Sequence, residues 1–325
     1  MTNRGIVKRI DSTHLPAYTQ LANDFGTIFN SVSWIQLYGS HLEHYGIFDN
    51  DQKLIASFYL YKTKMGGLTY YKNPPYTPHI GWCYKNKASN KANALAFEKS
   101  IVTELADFIA SLKGGLYTLA LPATLTDVQP FIWKKFKIIP NYTYHLDLRL
   151  TTDELLQNMA TDKRNSLKKA EKDQVETRLT TDYIVVEQLI LKTFSRKQES
   201  IDAAFVKKIL HDFATPENSF AFVSFLNNKP ISAAFCIFDK ATCYYLLGGY
   251  DSENKHQGAG VSSIWNAILH AKANGLATFD FEGSMLPEVE KFFRGFGGNL
   301  VPYYTVNRAL LPVEMALKFM KREIF

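Results

Sequence analysis

The stretch GLATFDFEGSMLPEVEKFFRGF, Gly275–Phe296, has a counterpart in GLYTLALPATLTDVQPFIWKKF, Gly115–Phe136, and a shift of 160 residues aligns the two without a gap. The surroundings agree as well. Before each lies an amphipathic helix, with Ile101, Leu105, Phe108 and Leu112 in the first and Val261, Ile264, Trp265 and Ile268 in the second at helical spacing. Each helix is expected to stop at a glycine, Gly115 or Gly275, as a C-terminal cap. A short strand follows, then a short helix carrying an aromatic–basic pair (Trp133–Lys134, Phe293–Arg294), then a strand entered through a proline, IPNYTYHLDL and VPYYTVNRAL. Further upstream each half has a hairpin, turning at Asp49–Gln52 and at Asn227–Pro230. The pattern is an α+β unit, a mixed sheet flanked by helices, present twice. The boundary is expected near residue 150, giving domains 1–150 and 151–325.

Bulk properties set the class. At 325 residues and 46% hydrophobic content the chain can bury two sizeable cores. A net charge of +6 favours anionic ligands without establishing nucleic-acid binding. Cys83, Cys236 and Cys243 are an odd set with no metal-type spacing, and they read as buried free thiols in a reducing compartment. No signal-peptide core and no run of 18 apolar residues is present, so a cytoplasmic location is expected. The eight histidines lack ligand spacing, so no metal is expected.

The chemistry is expected in the second half, because the first has lost it. Lys255, Gly258, Ala259 and Gly260 form a turn opening directly into a helix, where glycines admit a bulky anion and free amides meet phosphate oxygens. In the first half Leu95, Glu98 and Ser100 stand in place of Lys255, Gly258 and Gly260. The strand LALP has likewise become FDFEGS, placing Asp280 and Glu282 at alternate positions, suited to accept a proton from an attacking amine or to hold an ammonium. A solvated strand face, or a helix-capping role for Ser284, is the plainer alternative. Tyr250 and Tyr303 flank the expected cleft and could return a proton to a leaving group, whereas His256 reads as a surface loop residue. Thr151-x-x-Glu154 is a capping box that starts a helix expected to run to Lys172. On that helix Leu155, Met159 and Leu167 face inwards, while Arg164, Lys168 and Lys172 form an outer stripe able to touch an anionic substrate. A non-catalytic module that binds nucleic acid or an anionic polymer through helix 151–172 is the competing reading. No nucleophilic serine motif or Walker loop is present.

Taken together, GGYD…GAG, FDFEGS, FFRGFGG and the basic segment MATDKRNSLKKAEKD resemble the FemABX-like branch of the GNAT acyltransferase superfamily, with tandem GNAT-like halves. The resemblance implies two such domains, the first degenerate, and transfer of an acyl or aminoacyl group to an amine. The donor it implies is acyl-CoA or aminoacyl-tRNA, and the acceptor a small-molecule or peptide amine such as a cell-wall precursor. The family's Phe-Lys pair falls on Phe293 and Arg294, where arginine keeps the charge that stabilises an oxyanion or grips a carboxylate.

Overall fold

The computed structural model describes residues 5–86, 88–197, 202–283 and 285–320. The first half contains β1 (Ile6–Arg9), α1 (Leu15–Phe25), α2 (Val32–Gln36), β2 (Leu42–Phe48), β3 (Leu54–Met65), β4 (Leu68–Lys72), β5 (Cys83–Tyr84), α3 (Lys91–Ser111), β6 (Leu116–Ala120), α4 (Gln129–Trp133) and β7 (Lys137–Asp147). In the second half come α5 (Thr152–Asn158), α6 (Thr161–Lys172), β8 (Glu176–Thr180), α7 (Tyr183–Lys197), α8 (Ala203–Lys207), β9 (Ser219–Leu226), β10 (Lys229–Phe238) and β11 (Thr242–Tyr250). It ends with α9 (Ala259–Ala273), β12 (Thr278–Asp280), α10 (Pro287–Arg294), β13 (Asn299–Ala309) and α11 (Leu311–Met320).

The two compact units do not divide at residue 150. One comprises Met1–Asn141 with Pro302–Phe325, the other Tyr142–Val301. Each half therefore gives its last strand to the other unit. In the first unit the strand order is β1-β2-β3-β4-β6-β13, and in the second β8-β9-β10-β11-β12-β7. The two orders correspond strand for strand. All pairings are antiparallel except β4 with β6 and β11 with β12, and the closing strands pair antiparallel in both, Thr305 opposite Ala120 and Thr278 opposite Asp147.

Each core follows from the amphipathic pattern. Ile101, Val102, Leu105 and Ile109 of α3 are buried with Phe58, Leu119 and Phe131 in the first unit. Val261, Ile264 and Ile268 of α9 are buried with Phe279, Phe281 and Phe296 in the second. Both hairpin turns form. Asn227 and Asn228 both have positive φ, as a two-residue hairpin turn requires, and the Asp49 carboxylate accepts from the amides of Asp51 and Lys53.

The helix ends differ. Gly275 caps α9 at φ +76°, but α3 stops earlier, at Ser111. Gly115 serves packing, since a Cβ there would lie 2.8 Å from the Leu68 Cβ. The capping box at Thr151 and Glu154 is present, yet the helix breaks at Met159 and Ala160 into α5 and α6. There the Ala160 amide turns to the Gly295 carbonyl (2.9 Å), and Met159 is buried. All three cysteines are buried and free, and burial pushes the Cys83 thiol up to about 12.

Candidate active site

The second unit opens where β11 and β12 part. Their parallel pairing ends at Tyr244 and Asp280, while β11 continues to Tyr250. Just beyond the fork, Phe235 of β10 opposes Leu247 and Cys236 opposes Tyr245, so Leu246 is the extra residue of a bulge. A fork at the carboxyl ends of two parallel strands is where open sheets take ligands.

Tyr245, which sequence reading passed over among 18 tyrosines, stands at this fork. Its ring meets Phe293 edge to face at 5.8 Å. A Cβ on Gly248 would lie 2.0 Å from the Tyr245 hydroxyl, so the glycine makes room for it. The hydroxyl has no hydrogen-bond partner among the described residues, and burial keeps it protonated far above neutral pH. The glycine pair in LLGGY was the one available signal.

At the other arm of the fork, Asp280 is held firmly. Its Oδ1 accepts from the Thr143 hydroxyl (2.6 Å) and the Glu282 amide (2.9 Å), and its Oδ2 lies 3.0 Å from His145 Nε2. Both partner side chains come from β7, the strand supplied by the first half. Glu282 lies beyond the end of β12 in the left-handed region (φ +59°), beside Gly283 at φ +69°. Burial, reinforced by the charge of Asp280, pushes its carboxyl well above the usual carboxylate range. Asp280 is thus a firmly positioned carboxylate, and Glu282 beside it carries the raised pKa. Ser284 lies outside the described residues.

The glycine turn divides its labour. A Cβ on Gly258 would lie 2.3 Å from the Ser166 carbonyl oxygen and 2.7 Å from the Ala170 Cβ, so Gly258 lets α6 pack against the start of α9. Its amide donates to His256 Nδ1 (3.1 Å), and the Ala259 amide to the His256 carbonyl (3.2 Å). Among the described residues the amides of Gly260 and Val261 donate to nothing, and the nearest atom to a Cβ on Gly260 would be Ser232 Oγ at 3.8 Å. The amides left free at the start of α9 are therefore those of Gly260 and Val261, and not those of Gly258 and Ala259. Lys255, five residues before Gly260 in the same connection, is exposed.

His256 is buried, contrary to the surface reading. With Nδ1 accepting, Nε2 carries the proton and donates to Asp173 (3.0 Å), which ties the turn to the end of α6. The Asp173 carboxyl is held below its usual value by its bonds with Lys169 and then His256. Tyr250 is part of the same brace, since its hydroxyl accepts from the His256 amide (3.0 Å).

Other expected residues are placed differently. Phe293 is core, stacked on Phe281 at 5.2 Å. The Arg294 guanidinium is 61% exposed and donates to Glu290 (2.8 Å), which also accepts from the Tyr144 hydroxyl (2.6 Å). Its first-half counterpart, Lys134, is committed to Asp107 of α3. Tyr303 stands on β13 in the other compact unit. Arg164 ties α5 to α6 through the carbonyls of Gln157 and Met159. Together with exposed Lys168 it rims a groove of about 480 Å³ floored by Leu156, Leu167 and Trp265. Lys163, not singled out from the sequence, is buried on α6 with Nζ 4.1 Å from the Phe292 ring centre, and desolvation lowers its pKa. Among the described residues no cluster of histidine, cysteine and carboxylate side chains is arranged to hold a metal, and no helix is long and apolar enough to cross a membrane.

Residues 157–293 match the acetyltransferase (GNAT) domain family. No curated protein matches the chain. Among solved structures, the crystal structure of FemX is similar at TM-score 0.64 and 13% identity, over 97% of this chain and 99% of that one. The structure of L-PGS from Bacillus licheniformis is similar at 0.56 and 12%, over 98% of each chain. A protein of unknown function from Bacteroides thetaiotaomicron VPI-5482 is similar at 0.60 and 13%, over 93% and 98%. At these identities the likeness is one of fold. The matched segment, a GNAT domain, holds the fork, the free amides and the two carboxylates, and the chain as a whole shares the fold of FemX.

Proposed function

We propose that the protein transfers an acyl or aminoacyl group from a thioester or aminoacyl ester to an amine by direct attack, within the second unit. The observation that carries this reading is the fork between β11 and β12, with unpartnered amides at Gly260 and Val261 and a carboxyl of raised basicity at Glu282. The donor's phosphates sit on those amides at the positive end of α9, and its carbonyl lies in the fork. The amine nitrogen attacks the carbonyl carbon, and the N–C bond forms as the C–S or C–O bond breaks. Glu282 takes the proton from nitrogen, Tyr245 gives its own to the departing sulfur or oxygen, and solvent restores both. Asp280 fixes the backbone of Glu282 and keeps its basicity high. Arg294, exposed and paired, is a contact for an approaching anionic acceptor and does not reach for the oxyanion. Tyr250 braces the donor turn.

The donor is acyl-CoA or aminoacyl-tRNA, and the acceptor an amine on a small molecule or peptide, with a cell-wall precursor the first to test. We also infer that the two halves arose by duplication, because their strand orders correspond throughout. The binding-module reading is weakened by Arg164, whose guanidinium is spent on backbone carbonyls.

Gly260→Asp tests the donor site. At the second position of a helix an aspartate is favourable and the space is open, so the melting temperature should stay within about 2 °C of wild type. Its charge would repel a phosphate at the neighbouring amides and should weaken donor binding about tenfold or more. Calorimetric titration with acyl-CoA and with aminoacyl-tRNA reads this, and equal affinities for wild type and variant would remove the anion site.

A further inference from the structure

The helix α11, in the first unit, contains no buried residue. At 3.6 residues per turn, Leu311, Met315 and Phe319 fall along one line, and Pro312, Ala316 and Met320 lie beside it. All six are exposed, Leu311 by 72%, Phe319 by 87% and Met320 by 79%. Val313, Glu314 and Leu317 are half-buried on the opposite side. The charges of the helix are Glu314 and Lys318, paired to each other at 2.9 Å. Half of the helix surface is therefore an unbroken apolar face turned to water. A helix of about ten residues gains little from its own hydrogen bonds and depends on packing for stability, so such a face calls for a cover.

The size of the face selects the cover. A ten-residue helix is about 15 Å long and about 10 Å across. Pairing it with a second copy would hide far less than the roughly 800 Å² per partner of a stable interface. A lipid surface has no such requirement, because each apolar side chain that enters the acyl boundary contributes by itself. The charge balance specifies the lipid. Lys318 stands at the edge of the apolar face, the sequence continues with Lys321, Arg322 and Glu323, a further excess of one positive charge, and the whole chain carries +6. We infer that α11 seats the protein on an anionic lipid surface, with Leu311, Met315, Phe319 and Met320 inserted and Lys318 at the headgroup level. This inference is independent of the transfer chemistry, since it involves none of the residues placed at the fork.

Flotation of the full chain with vesicles tests it. Wild type should rise with vesicles of phosphatidylcholine and phosphatidylglycerol in equal parts, and far less with phosphatidylcholine alone. The double variant Met315→Glu/Phe319→Glu should lower the bound fraction about tenfold or more while keeping its melting temperature. Four results would overturn the inference: no flotation of wild type with either vesicle, equal flotation with both, undiminished flotation of the variant, or light scattering that shows a wild-type dimer which the variant dissolves and which binds no vesicles.

Discussion

Glu282→Gln is expected to lower kcat/KM by roughly two to four orders of magnitude, the usual contribution of a positioned general base, without unfolding the protein. Glutamine keeps the size and the left-handed backbone, and it removes only the ability to accept a proton. The pH dependence carries the stronger signature. Burial and the charge of Asp280 raise the Glu282 pKa, and the base form is the active one, so activity should rise with pH along a limb displaced above the ordinary carboxylate range. In Glu282→Gln that limb should vanish. Stability should respond in the opposite sense. A group whose folded pKa is raised stabilises the protein below its unfolded pKa and loses that contribution as pH rises through the folded value. Wild type should therefore weaken relative to Glu282→Gln on the alkaline side, and melting curves across pH would show it. Retained activity in the variant, with an unshifted acid limb, would reduce Glu282 to a structural residue.

Gly258→Val should instead damage the fold. Its side chain would strike the Ser166 carbonyl and the Ala170 methyl, both on the rigid body of α6, and backbone cannot step aside as a flexible side chain could. The expected cost is about 3 kcal/mol, or roughly 10 °C in melting temperature for a unit of this size. Gly260→Ala, two residues later, should be neutral or slightly stabilising, because its site is open and alanine favours the helix. Thermal unfolding of the two variants separates the glycine that packs from the glycine that leaves amides free. Equal melting temperatures would contradict the packing assigned to Gly258.

The repeat was legible because residues 115–136 and 275–296 carry the same order of apolar positions, and that order dictates the same strand and helix twice. The exchange of closing strands was not, since IPNYTYHLDL and VPYYTVNRAL each read as a strand but carry no mark of which sheet they complete. The break between α5 and α6 was hidden for a related reason: Met159 and Ala160 suit a helix locally, and a distant carbonyl, that of Gly295, pulls them out of it. Within the candidate site, the loss of glycines and carboxylates from the first half pointed to the strand and turn that meet the fork. It could not rank them. Gly258 and Gly260 look alike in a sequence and differ only in what stands opposite. Glu282 gains its raised basicity from burial, which leaves no local pattern, and Tyr245 its place from a bulge at Leu246, which only the glycine pair of LLGGY marks.

The proposed role of the fork between β11 and β12 is to activate an acyl donor. It is tested most directly by trapping the acyl group with hydroxylamine, a small amine that needs no acceptor site, and measuring the hydroxamate by mass spectrometry. Wild type should form it from acyl-CoA or from aminoacyl-tRNA, and Tyr245→Phe, which cannot protonate the leaving group, should form it about a hundredfold more slowly at unchanged donor affinity. The absence of hydroxamate from both donors, or an undiminished rate in Tyr245→Phe, would contradict it.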